Sequence, residues 1–130
     1  MFLKEVDKAE VTCLVDNNVD VLLPNTEVAH RPRLRKDWYY YPLIAEHGFC
    51  AAITVYINDE KHRLLLDSGL DPLVASHNAD ALGYDLSFCK TVIASHGHID
   101  HAGGLLNLKL KMNKTERMPL FSMNMLLKRD

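Results

Sequence analysis

The stretch ASHGHIDHAGG, residues 94–104, constrains this chain more than any other. It places three of the 7 histidines and an aspartate within the positions His96 to His101, and Gly103 and Gly104 follow. It opens directly from KTVIAS, a short continuous apolar run of the kind expected for a strand buried on both faces. Ligand sites in layered α/β folds sit at the C-terminal ends of such strands. A hydrophobic core is a poor place for so many imidazoles, because each buried ring nitrogen needs a partner of its own.

The spacing points to metal binding. His96 and His98 are two apart just past a strand, so both rings can lie on one side of the chain. Gly97 adds no bulk and permits an unusual bend. Asp100 and His101 are adjacent, so their side chains diverge. The four groups suit two neighbouring metals better than one: His96 and His98 on the first, Asp100 and His101 on the second. Imidazole and carboxylate suit zinc, iron or manganese, and ligand type alone does not choose among them. Such a metal lowers the pKa of its water to about 7, and a second metal roughly 3.5–4 Å away helps stabilise developing charge. Asp100 is the catalytic candidate, as the carboxylate placed to orient that water or take its proton. Gly103 and Gly104 leave room for the next helix to approach closely, with its N-terminus favouring an anionic substrate group.

The remaining segments supply a frame. Glu10 to Asp16 is rich in β-formers and ends in DNN, a strand running into a turn. Residues 24–48 carry Pro24, Pro32, Pro42, a charge cluster and the aromatic run Trp38–Tyr41, and read as a long loop. The aromatics either line a pocket or cover a core edge. Cys50–Ile57 and His62–Leu66 flank NDEK as a hairpin, and the second run ends in Asp67-Ser68-Gly69. Helical spacing follows Pro72 and stops at Gly83. GGLLNLKLKM reads as a helix, NKTER as a loop and MPLFSM as a further strand. The order predicts an α/β or α+β domain with helices against a sheet.

Composition removes other classes. The chain has 130 residues, 48% hydrophobic and 25% charged, with a net charge of -2 and a pI near 6.4. These values describe an ordinary globular domain with no call for a nucleic-acid partner. The basic run Arg31–Lys36 is short, is interrupted by Pro32, and reads as a solvated loop. No apolar run is long enough to span a bilayer, and the charged N-terminus lacks a signal peptide's apolar core. Cys13, Cys50 and Cys89 form no CxxC pair and sit in or beside apolar segments. Buried free thiols in the cytoplasm are the expectation. His30, His62 and His77 read as structural or exposed, and His47, in AEHGF, is left without a site role.

At this point the residues resemble a known family. SHGHIDH fits HxHxDH, the signature of the metallo-β-lactamase superfamily, and LLLDSG resembles its upstream strand and Asp-Gly motif. DNN, AEHGF, HNADALGYDLS, TVIASHGHIDHAGGL and PLFSMNMLLKRD follow in the order of one branch. That branch is described as metal-dependent hydrolases and, in part, as dihydropterin–ribofuranosylaminobenzene 5'-phosphate synthases. The resemblance implies an αββα sandwich with metals at one edge of the sheets and a small-molecule substrate. Carried over by position, His96 and His98 bind the first metal and Asp100 and His101 the second, zinc being the first choice and iron or manganese alternatives. Asp67 becomes the motif aspartate that orients a ligand or its loop. The family's other ligands lie downstream: a histidine, a bridging aspartate and a last histidine. No histidine follows His101 here, and the later carboxylates are Glu116 and Asp130. Residues 1–130 are therefore expected to form the N-terminal half of the sandwich, a fragment or truncated product that needs a partner chain, dimerises or is marginally stable. The expected function is a metal-dependent hydrolase, incomplete in this chain. A non-catalytic remnant or subunit acting by association, and a pterin-related group-transfer enzyme, are the alternatives.

Overall fold

A computed structural model describes residues 4–31, 34–112 and 120–122. Its strands are β1 (Lys8–Val15), β2 (Cys50–Ile57), β3 (Glu60–Leu66), β4 (Cys89–Ala94) and β5 (Leu120–Ser122). Its helices are α1 (Val74–Leu82), α2 (Ile99–Ala102) and α3 (Leu105–Lys111), with a 3-10 turn at Leu86–Phe88. The fold is mixed α/β. One sheet runs in the order β1-β2-β3-β4-β5. The first two pairings are antiparallel, and β3–β4 and β4–β5 are parallel.

The β2–β3 hairpin is tighter than NDEK suggested. Ile57 pairs with Glu60, so the loop is Asn58-Asp59 alone. Both residues take positive φ, 49° and 66°, as a type I′ turn demands, and Asn and Asp tolerate that conformation. At the other end of β3, α1 begins after Leu73 and closes on Gly83, whose left-handed φ of 67° ends the helix.

The core lies between one face of the sheet and the helices. Leu65 and Val92 from the sheet meet Ala75 and Ala79 of α1, Leu108 of α3, and Met112. Burying side chains of this size stabilises by roughly 1.5–3 kcal/mol each before the entropy of ordering them is subtracted. The opposite face is more open. Val11 pairs with Ile53, and Ile53 with Leu64. Val11 is exposed and the other two are half-buried.

Two expectations change here. KTVIAS is not buried on both faces: Val92 is buried, while Thr91, Ile93 and Ala94 are half-buried, because the helices cover one side of the sheet. Cys50 and Cys89 are buried, but Cys13 is exposed, since it lies on an edge strand with a single neighbour. All three are free thiols, and burial pushes the Cys50 and Cys89 thiols upward. NKTER and most of the segment around β5 lie outside the described residues.

Candidate metal centre

Three segments meet beyond the C-terminal ends of β3 and β4, tied together through the backbone. The Asp67 amide donates to the Ile93 carbonyl at 2.8 Å, the Ser68 amide to the His101 carbonyl at 2.8 Å, and the Phe49 amide to the Asp100 carbonyl at 3.2 Å. The Gly103 amide donates to the Gly69 carbonyl at 3.0 Å. This contact explains the paired glycines. A Cβ on Gly103 would lie 2.0 Å from the Leu70 carbonyl oxygen, and one on Gly104 2.1 Å from that of Ser68. The space that these glycines leave is filled by the 68–71 backbone.

Asp67 is the hub. It is 2% exposed and holds a left-handed φ of 58°. A non-glycine residue adopts that conformation at a cost of order 1–3 kcal/mol. The carboxylate is well answered. Oδ1 accepts from the Ser95 amide at 2.6 Å, and Oδ2 from the Ser95 hydroxyl at 2.7 Å. Oδ2 also lies 2.8 Å from His101 Nδ1. A carboxylate only accepts, so that nitrogen carries a proton, and in the neutral ring Nε2 of His101 keeps its lone pair. Ser95 has one proton, already given to Asp67. Its oxygen, 2.9 Å from His96 Nδ1, therefore accepts, and His96 is likewise left with a free Nε2.

The expected ligands come together. The His96 and His98 rings lie 4.5 Å apart between centroids, at 71°. Those of His96 and His101 lie 4.3 Å apart. Asp100 Oδ2 sits 3.4 Å from His101 Nε2. Asp100 and His101 ride on α2, a single turn that begins at Ile99 and turns both inward, with 22% and 23% of their side chains exposed. Proximity is not convergence, however. Among the described residues no group of three His, Cys, Asp or Glu side chains is disposed to hold a metal ion. The donor types and the two fixed tautomers fit a divalent metal. Among the described residues the donor number would fall short of two complete sites, since four residues give two metals a pair each and a zinc site normally takes at least three. The chain bends at Gly97 as expected, but not through the left-handed region, so the bend does not itself demand glycine.

Two residues of the site stand outside the set that the sequence singled out. Glu46 clamps the loop after Asp67: its Oε1 accepts from the Leu70 amide at 2.8 Å and its Oε2 from the Asp71 amide at 2.9 Å. His47 Nε2 lies 3.6 Å from Asp100 Oδ2, with 77% of its side chain exposed. The segment AEHGF carried both, but spacing gave no hint that it would fold beside residue 100. The Trp38–Tyr41 run forms an exposed turn, with the Arg35 guanidinium over the Tyr41 ring and His77 of α1 nearby. His77 itself contacts the Pro42 carbonyl at 2.8 Å, the structural role expected of it.

The sequence model of the metallo-beta-lactamase superfamily matches residues 47–126, a span that includes Asp67 and the whole histidine cluster. The chain belongs to that superfamily. The 7,8-dihydropterin-6-methyl-4-(beta-D-ribofuranosyl)-aminobenzene-5'-phosphate synthase of Methanocaldococcus jannaschii is 31% identical over 84 residues, 65% of this chain and 28% of that protein. Among solved structures, Rm3 metallo-beta-lactamase is 34% identical over 55% of this chain and 26% of its own, with a TM-score of 0.41. Native FEZ-1 metallo-beta-lactamase from Legionella gormanii is 26% identical over 50% of this chain and 26% of its own, with a TM-score of 0.36. The chain thus spans little more than a quarter of the length of these relatives. Among the described residues no helix is long and apolar enough to cross a membrane.

Proposed function

We propose that this chain carries the first part of the metal centre of a metal-dependent hydrolase acting on a small molecule. His96 and His98 would hold one divalent metal, and Asp100 and His101 a second. Zinc is the first choice, with iron and manganese as alternatives. A divalent metal held there supplies Lewis acidity and water with a pKa near 7. The protein's own contribution is orientation and proton handling. Asp67 fixes His101 through Nδ1, and Ser95 fixes His96 in the same way, so that both rings present Nε2. Asp100 Oδ2 is the acceptor for a proton from water.

The observation that carries this reading is the buried Asp67 carboxylate, whose three partners orient the cluster instead of neutralising a cation. Two protein donors per metal give weak binding and a loose nucleophile, so the 130-residue chain alone should show little hydrolysis. The test is zinc content and affinity of the purified chain, with cobalt absorption reporting nitrogen ligation. The chain should take up zinc and lose it to a mild chelator, and His96→Ala with His98→Ala should weaken uptake at least tenfold. No uptake, or equal uptake by the variant, overturns the reading.

Two alternatives have support of their own. The pterin synthase relative favours group transfer at the same site. The open row Val11, Ile53 and Leu64 favours work by association, in a homodimer or with a partner chain that covers that face.

A further inference from the structure

We propose a second binding site, for a small phosphate-bearing molecule, at the N-terminal ends of β3 and β4. A hollow of about 340 Å³ there is lined by Lys61, Arg63, Phe88 and Lys90. Lys61 and Arg63 are two apart on β3 and so share a side. Arg63 pairs with Cys89, which brings Lys90 alongside. Cavities that take small molecules begin near this size, at roughly 300 Å³.

The cations of the hollow make no close ion pair: among the described residues, none of the ion pairs involves Lys61, Arg63 or Lys90. The nearby acids each have another partner: Glu60 faces His62 at 3.7 Å, Asp85 accepts from the Ser87 amide at 2.9 Å, and Glu10 accepts from Lys8 and the Tyr56 hydroxyl; Asp85 and Glu10 still act at longer range on Arg63 and Lys61. Arg63 lies over two rings, its guanidinium carbon 5.2 Å from the Tyr84 centroid and 5.3 Å from that of Phe88. Its Nε is buried and, among the described residues, has no acceptor. A buried donor of a charged group without a partner is costly, so a fold that keeps one in a cationic hollow is better balanced when an anion sits there. A phosphate group offers several oxygens and up to two negative charges to three cations, and an immobilised guanidinium suits it geometrically. The histidine cluster lies at the other end of the same strands.

The experiment is an amide chemical-shift titration of the full chain with sodium pyrophosphate, at constant ionic strength and with EDTA present. Expected are saturating shifts centred on residues 61, 63, 88 and 90, with a Kd below about 1 mM. The double variant Lys61→Gln, Lys90→Gln should raise that Kd about tenfold and leave the urea midpoint unchanged, since both ammonium groups lie at the surface. Shifts that stay linear in concentration, that centre on residues 96–101, that chloride reproduces at equal ionic strength, or that persist unaltered in the double variant would each overturn the proposal.

Discussion

The parallel pair β3–β4 ends in polar residues at both extremities, and the two ends treat charge in opposite ways. At the C-terminal end Asp67 is buried, and each carboxylate oxygen has a donor from Ser95 or His101. At the N-terminal end Arg63 is half-buried, stacked on rings, and one of its donors is left without an acceptor. The first end is a closed network, in which removing one member strands the others. The second is an open one, in which removing the charge relieves as much as it costs. Burial of charge is therefore not one quantity in this molecule. Its consequence depends on whether the partners are already inside the protein.

The sharpest way to break that contrast is Asp67→Ala. It strands the Ser95 amide and the His101 Nδ1 proton inside the protein, and should lower stability by about 3 kcal/mol by urea denaturation. A loss below that seen for a surface substitution would show the network to be incidental. Gly103→Ala tests the same end through packing alone. Its Cβ would meet the Leu70 carbonyl, and a cost of about 2 kcal/mol with loss of zinc uptake is expected. Glu46→Gln keeps one acceptor and loses the charge, so about 1 kcal/mol should go. Amide exchange should quicken at Leu70 and Asp71 and not in β2. At the open end, Arg63→Met exchanges stacking and an orphaned donor for a plain apolar chain, and the unfolding midpoint should shift by an equivalent of less than about 1 kcal/mol. A loss as large as that of Asp67→Ala would erase the distinction. The smallest effect concerns thiols: Cys13 should react with a disulfide reagent at once, and Cys50 and Cys89 only after denaturation.

How much of this was legible in the sequence follows from range. The hairpin, α1, β4 and the metal motif are written in contiguous residues, and Asp67 was found because LLLDSG places it at a strand end. The mixed fold class followed from the same local patterns, and the family match agrees with it. What escaped depends on contacts between distant segments. Glu46 acts on Leu70 and Asp71, and no periodicity reports such a clamp. Asn78 ties α1 to Leu14 and Ile44 through three short contacts to their backbones, which nothing in the helical pattern announces. The two-residue turn was misread because Asn58 and Asp59, which tolerate left-handed backbone, were grouped with the strand residues Glu60 and Lys61. The exposure of Cys13 escapes because a pattern of β-formers does not say which strand is the edge.

The connection between β1 and β2 has a consequence for the order in which the chain assembles. β2 and β3 are joined by two residues already inclined to turn, and such a hairpin forms in about 1–10 μs. β1 must wait for residues 16–49 to close, and a loop's entropic cost rises with the logarithm of its length, so that halving the loop would recover only about 0.6 kcal/mol. The anchor that Asn78 offers to the Leu14 carbonyl becomes available only after α1 has docked. β1 is thus the natural last arrival and the first departure. Its leaving would bare the β2 edge, and a β1 strand from another copy could take its place.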